Sequence, residues 1–237
     1  MNSRLRRTLA RGINKLVAPL GLRCVERPQV LPAPELSEDH VRNARLLPNR
    51  TDILHQLGRQ DFVAEVGVGF GSFSRQIIDI MRPTRFVAVD TFQLDTPSWT
   101  GRHAYGDILG DLSHEAFYRQ KFQEEIASGQ VDIRRGFSHD ELARFEDSYF
   151  DMIYIDAAHD YESVKRDLAV ANLKTKPDGY IVLNDFTVMD PLLLQHYDIT
   201  RATQEFCLEH NWEFVCFALH RFMFCDVALR RMNRVEK

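Results

Sequence analysis

The segment Phe62-Val63-Ala64-Glu65-Val66-Gly67-Val68-Gly69-Phe70-Gly71 constrains the fold more than any other. An apolar run meets an acid and then three glycines at alternate positions, and Ser72 to Met81 follows with helical spacing. Glycine lets a chain turn sharply after a strand and lets a ligand approach the backbone without meeting a Cβ. A helix that starts there turns its free N–H groups toward that ligand. Strand, glycine turn and helix open a βαβ unit, so the remaining chain should alternate strands and helices around a parallel sheet.

The rest of the sequence keeps that alternation. Residues 85–90, 131–135, 151–156 and 179–184 read as strands, and helical patterns at 113–127, 138–146, 161–173 and 198–210 lie among them. Upstream, Asp39 to Leu47 and Asn49 to Leu57 read as helices. Two apolar runs, 212–219 and 221–229, are separated by a residue or two and predict an antiparallel hairpin. The fold class is therefore α/β: a Rossmann-like, doubly wound, mostly parallel seven-stranded sheet with a C-terminal antiparallel hairpin. Residues 92–112 hold Gly, Pro, Trp and His without periodicity and read as a long loop. Residues 26–38, with Pro28, Pro32 and Pro34, read as an extended linker, which leaves 39–237 as the main domain.

Residues 1–25 stand apart. Arg4, Arg6, Arg7, Arg11, Lys15 and Arg23 carry positive charge, and no acid precedes Glu26. Leu5, Leu9, Ile13, Leu16 and Leu20 fall on one helical face, and Pro19 should end that helix. Such a basic amphipathic helix can pack on the domain or on a second subunit of a homo-oligomer. It can equally lie on an anionic membrane surface, or form part of a transit peptide. The net charge of -4 argues against a broad nucleic-acid-binding surface. Cys24, Cys207, Cys216 and Cys225 lack metal-ligand spacing and read as thiols of a reducing compartment. With no bilayer-spanning run and no secretory segment in the sequence, the expected location is cytoplasmic, with or without contact at the inner face of the membrane.

In a doubly wound sheet the ligand lies beyond the carboxyl ends of the strands, so the chemistry is read there. The spacing GxGxG, rather than GxGxxG, places Glu65 beside the glycines. A carboxylate serves a pyrophosphate poorly but suits the cationic amino-acid end of S-adenosylmethionine. Asp90 ends the second strand, about twenty residues on, where a carboxylate can accept ribose hydroxyls. Phe137 and Ser138 follow the third strand and can border an adenine, although Ser138 with Glu141 equally makes a capping box. Asp156 and His159 follow the fourth strand, and histidine is the natural base for a hydroxyl proton near neutral pH. Asn184 and Asp185 end the fifth, and with Asp156 they offer the hard oxygens that Mg²⁺ prefers.

Glu65 to Gly71 together with Asp90 resembles the cofactor-binding pattern of class I S-adenosylmethionine-dependent methyltransferases. The segments Asp151-Met-Ile-Tyr-Ile-Asp-Ala-Ala-His-Asp-Tyr161 and Pro177-Asp-Gly-Tyr-Ile-Val-Leu-Asn-Asp185 are similar to one branch, the metal-dependent sugar O-methyltransferases of the macrocin and mycinamicin type. The resemblance covers roughly residues 45–225 and implies the strand order 3-2-1-4-5-7-6. It implies cofactor contacts from Glu65, Gly67, Gly69, Gly71, Ser72, Asp90, Thr91, Phe137, Ser138 and Asp156. It also implies a metal at Asp156, Asn184 and Asp185, with His159 as general base. Asn184 stands where that branch has an acid, which should weaken Mg²⁺ binding. The acceptor would be a small molecule or glycan held against Trp99, His103 and Tyr105 of the long loop, unless Trp99 merely anchors that loop. Other readings are a methyltransferase of phenols or carboxylates, an NAD(P)-dependent oxidoreductase, a nucleic-acid base methyltransferase and a non-catalytic scaffold of the same fold. The glycine spacing and the terminal hairpin count against the oxidoreductase. Asp156-Ala-Ala-His159, where a Pro-Pro-Tyr/Phe motif would stand, counts against the base methyltransferase.

Overall fold

A computed structural model describes residues 12–20, 30–95, 106–192 and 195–232. In chain order the elements are β1 (Arg45–Leu47), α1 (Arg50–Leu57), β2 (Phe62–Val66), α2 (Ser72–Met81), β3 (Arg85–Asp90), a short α3 (Gly106–Leu109), α4 (His114–Lys121) and α5 (Gln123–Ala127). They continue with β4 (Val131–Arg135), α6 (Ser138–Ala143), β5 (Phe150–Ile155), α7 (Tyr161–Lys174) and β6 (Thr175–Leu183). After a two-stranded ribbon of β7 (Met189–Asp190) and β8 (Gln195–His196) come α8 (Ile199–His210), β9 (Trp212–Ala218) and β10 (Asp226–Arg231).

The main sheet runs β1-β9-β10-β6-β5-β2-β3-β4. Only β10 is antiparallel to its neighbours. Setting β1 aside, this is the expected order with the expected hairpin. Val63 to Val66 are all buried, as a parallel strand covered on both faces requires. Helices α6, α7 and α8 cover one face through Leu142, Leu168 and Phe206. Helices α1, α2 and α4 cover the other through Leu54, Ile77 and Tyr118. Helix α2 buries Phe73, Ile77, Ile78 and Met81 on one side, and α7 is capped by Asp160, which accepts from the Ser163 amide.

Four expectations need correction. Asp39 to Leu47 is not a helix but a 3₁₀ turn at Glu38–His40 followed by β1. Parallel pairing of Arg45, Leu46 and Leu47 with Cys216, Phe217 and Ala218 overrides the local pattern there. The sheet accordingly has eight strands rather than seven. The hairpin connection is not a residue or two but residues 219–225, with Met223 and Cys225 at positive φ. The Cys225 carbonyl accepts from the Phe186 amide at 2.8 Å, which draws this loop onto the segment after β6. The expected helix 113–127 breaks at Phe122, a fully buried ring packed 4.6 Å from Tyr118.

Residues 12–17 are helical and Ala18–Leu20 turn into a 3₁₀ helix at Pro19. Ile13, Leu16 and Leu20 are 44%, 79% and 74% exposed, so the domain does not cover this apolar face. Arg4, Arg6, Arg7, Arg11 and Arg23 lie outside the described residues. Among the described residues no helix is long and apolar enough to cross a membrane.

Candidate active site

A cavity of about 850 Å³ opens over the carboxyl ends of β2 to β5, walled on one side by the start of α7. Gly67 and Gly69 line it and Gly71 does not, and the three glycines of the turn do three different things. Gly67 has φ +82°, and a Cβ there would lie 1.8 Å from the Asp156 carbonyl oxygen, so it lets two strand ends touch. Gly71 has φ +68°, and a Cβ would strike the Phe122 and Tyr118 rings at 2.6 and 2.9 Å. Gly69 alone faces open space on the cavity side, with nothing within 4 Å of its Cβ position.

Asp90 fixes that turn as well as lining the cavity. One oxygen accepts from the Val68 and Gly69 amides at 3.0 and 3.3 Å, and the other from Phe92 at 2.7 Å. Thr91, Phe137 and Ser138 also line the cavity, with Phe137 exposed at its rim and stacked on His139. Glu65 and Ser72 do not. Glu65 is buried and accepts from Ser74 Oγ of α2, behind the glycine turn. Burial pushes its carboxyl up to about 8. Ser72 is exposed in the first turn of α2.

Asp156 belongs both to the cavity and to a second cluster at the ends of β5 and β6. His159 Nε2 stands 3.5 Å from Asp185 Oδ2 and 4.0 Å from Asp156 Oδ1. The imidazole lies flat on the Tyr197 ring at 4.2 Å, and its Nε2 is buried without a hydrogen-bond partner. Burial pushes His159 down to about 4, which keeps the ring neutral. Burial, then the charge of Asp185, pushes Asp156 up to about 8, while burial and then Asp226 push Asp185 up to about 7. Asp185 also holds a left-handed φ of 56°, unusual for a residue with a side chain. Asn184 joins a different set: its Nδ2 donates to the buried Asp226 at 3.1 Å, and Tyr154 donates to the same carboxyl at 2.5 Å. Arg50, at the start of α1, partly offsets this negative charge and rests 4.2 Å over the Phe73 ring.

One ligating atom each from Asp156, His159 and Asp185 lies within 4.8 Å of the others. With an unpartnered buried nitrogen aimed at two crowded carboxylates, this donor set fits a divalent cation. An imidazole in the set is less suited to Mg²⁺ than the all-oxygen set expected with Asn184.

Residues 64–186, just over half of the chain, match the family described as "Methyltransferase domain". The chain belongs to that family. The methyltransferase is similar in fold to 1,6-didemethyltoxoflavin-N1-methyltransferase of Burkholderia thailandensis, solved with bound 1,6-didemethyltoxoflavin and S-adenosylhomocysteine. That similarity has a TM-score of 0.51 and 16% identity over 77% of this chain and 76% of that one. A SAM-dependent methyltransferase from Aquifex aeolicus is similar with a TM-score of 0.50 and 12% identity, over 75% of this chain and 87% of that one. No curated protein is similar in sequence at a significant level.

Within this methyltransferase some functional groups had no signal in the sequence. His114, at the start of α4, is buried against the glycine turn. Its Nε2 lies 2.7 Å from the Gly69 carbonyl and its Nδ1 3.4 Å from the Leu94 amide. A carbonyl only accepts and an amide only donates, so the proton sits on Nε2. Tyr161 and Lys165 carry the Tyr-x-x-x-Lys spacing of many oxidoreductases, but the tyrosine donates to Glu205 of α8 at 2.5 Å and neither residue lines the cavity. Trp99, His103 and Tyr105 lie outside the described residues.

Proposed function

We propose that this methyltransferase transfers a methyl group from S-adenosylmethionine to a hydroxyl oxygen of a small molecule, a sugar or glycan precursor. The observation that carries this reading is the shared position of Asp156. It joins a cavity of cofactor size to a buried, neutral, unpartnered imidazole nitrogen. The sugar itself rests on the likeness of the segments 151–161 and 177–185 to sugar O-methyltransferases, and a phenolic acceptor is the next reading.

The chemistry follows from charge. The acceptor oxygen attacks the methyl carbon in line, the carbon–sulfur bond breaks, and its electron pair leaves on sulfur as the neutral thioether of S-adenosylhomocysteine. The hydroxyl proton passes to His159 Nε2. Positive charge thus moves from sulfonium to imidazolium, and Asp156 and Asp185 stand 4.0 and 3.5 Å from where it arrives. A base held near pH 4 is weak, so proton transfer accompanies methyl transfer rather than preceding it. Most of the protein's task is alignment, because the donor is already activated. A divalent cation at Asp156, Asp185 and His159 would supply Lewis-acid polarisation of acceptor oxygens. His159 cannot serve as base through the same nitrogen while it holds such an ion.

Release of S-adenosylhomocysteine, followed over a panel of glycosides, free sugars and phenols with and without divalent cations, tests the assignment. O-methylated glycoside formed by wild type and not by His159→Ala supports it. Transfer confined to phenols, or to nitrogen, contradicts it. The acid-free basic start and the uncovered face of Ile13, Leu16 and Leu20 support a location at an anionic membrane surface.

A further inference from the structure

Asp185 and His159 are joined by a short excursion of the chain. It leaves Asp185 just past β6, folds into the β7–β8 ribbon and returns at Tyr197 and Asp198. Three hydrogen bonds fix the return. The Asp198 amide donates to the His159 carbonyl at 2.9 Å, and the Tyr197 amide to the Val188 carbonyl at 3.1 Å. The Tyr197 hydroxyl donates to the buried Asp190 of β7 at 3.3 Å. Tyr197 is buried in turn, and its ring lies 8° from parallel to the His159 imidazole, with the centroids 4.2 Å apart.

A working imidazole is ordinarily oriented by a hydrogen bond from the ring nitrogen it does not use, given to a carboxylate or a carbonyl. Among the described residues the His159 ring makes no such bond, and its Nε2 is buried without a partner. What fixes the ring plane is its face. We propose that Tyr197 is a positioning residue that holds the His159 imidazole by stacking, so that Nε2 points into the gap between Asp156 and Asp185. A face contact sets the plane and leaves both nitrogens free. The ribbon thus ties the orientation of His159 to the segment that carries Asp185. The role is the same whether Nε2 takes a proton or holds a cation. The inference rests on the reading of His159 as the working group of the proposed function.

NMR of the full chain and turnover test the two layers separately. The His159 ring protons, assigned by their loss in His159→Ala, should lie upfield of ordinary histidine in wild type, because they sit over an aromatic face. They should stay upfield in Tyr197→Phe, which keeps the ring, and move downfield in Tyr197→Leu. Ordinary positions in wild type overturn the stack. That arm needs no Tyr197 variant, so a misfolded Tyr197→Leu leaves the test standing. In turnover, Tyr197→Leu should lower kcat by about 10- to 100-fold while affinity for S-adenosylhomocysteine stays within about twofold. Tyr197→Phe should keep kcat within about threefold. A folded Tyr197→Leu with wild-type kcat, or a Tyr197→Phe as impaired as Tyr197→Leu, overturns the positioning role. Turnover of His159→Ala at the wild-type rate overturns the reading of His159, and the role of Tyr197 with it, even where the upfield signals stand.

Discussion

The two halves of the ligand edge are held together by different means. Over β2 and β3 the backbone does it: Asp90 is engaged by three main-chain amides, and His114 ties the Gly69 carbonyl to the Leu94 amide. At β5 and β6 the groups are side chains, and they repel. Asp156 and Asp185 crowd an unpartnered His159 nitrogen, with Asp226 near by and Asp185 in a strained backbone conformation. The first half is pre-organised to bind, whereas the second stores unfavourable electrostatics that a sulfonium or a metal cation would relieve. On the proposed function, binding falls to one part of this surface and chemistry to the other, and variants should separate them.

The largest effect belongs to Gly67. Adding a Cβ that must displace the Asp156 backbone should make Gly67→Ala lose about 4 kcal/mol or more of stability, or fail to fold, as denaturant titration would show. A variant that melts like wild type would mean the two halves are not locked together at that contact. His159→Ala should lower kcat by about 10²- to 10⁴-fold while leaving affinity for S-adenosylhomocysteine within about threefold. A matching loss of affinity would join the halves that the structure keeps apart.

A smaller effect attaches to Glu65, whose carboxyl is held at about 8 in the folded protein against an ordinary value near 4.5. The folded state keeps this proton while the unfolded chain has released it. Its contribution is therefore complete below about pH 4.5 and is lost progressively up to about pH 8, at up to about 1.4 kcal/mol per pH unit. Glu65→Gln cannot ionise, so its stability relative to wild type should rise across that window. Parallel pH profiles would show that Glu65 is ionised in the fold. The smallest effect concerns residues 12–20. Vesicles rich in anionic lipid should co-sediment the full chain, neutral vesicles should not, and Leu16→Glu with Leu20→Glu should reduce binding without altering S-adenosylhomocysteine affinity. Equal recovery with neutral vesicles would remove the membrane reading.

The backbone-built half was the legible one. Helix α2 and strands β3 and β4 have the bounds expected from period and glycine punctuation, both of which are local signals. Strand β1 was not legible, because three residues carry no period and owe their conformation to a distant partner. The long hairpin connection depends on the tie from Phe186 to Cys225, which no local pattern encodes. Asn184 and Asp185 lie just past β6, and the left-handed φ of Asp185, which no local pattern encodes, separates them: Asn184 reaches Asp226 while Asp185 joins Asp156 and His159. Within β2, alternation turns Glu65 toward Ser74 of α2. His114 lies 45 residues from Gly69, whose carbonyl it holds, and nothing in its neighbours marks it.

The most direct test is calorimetric titration of wild type and Gly69→Arg with S-adenosylhomocysteine, in the presence and absence of a divalent cation. Nothing lies within 4 Å of the Cβ position of Gly69, which lines the cavity, so an arginine there meets no neighbouring side chain; its φ of +48° strains the substitution, and cooperative melting of the variant is the control. Micromolar binding by wild type, lost by about 100-fold or more in a variant that still melts cooperatively, is the predicted result. Absence of binding by wild type, or binding that survives Gly69→Arg unchanged, would contradict the assignment of this cavity to the methyl donor.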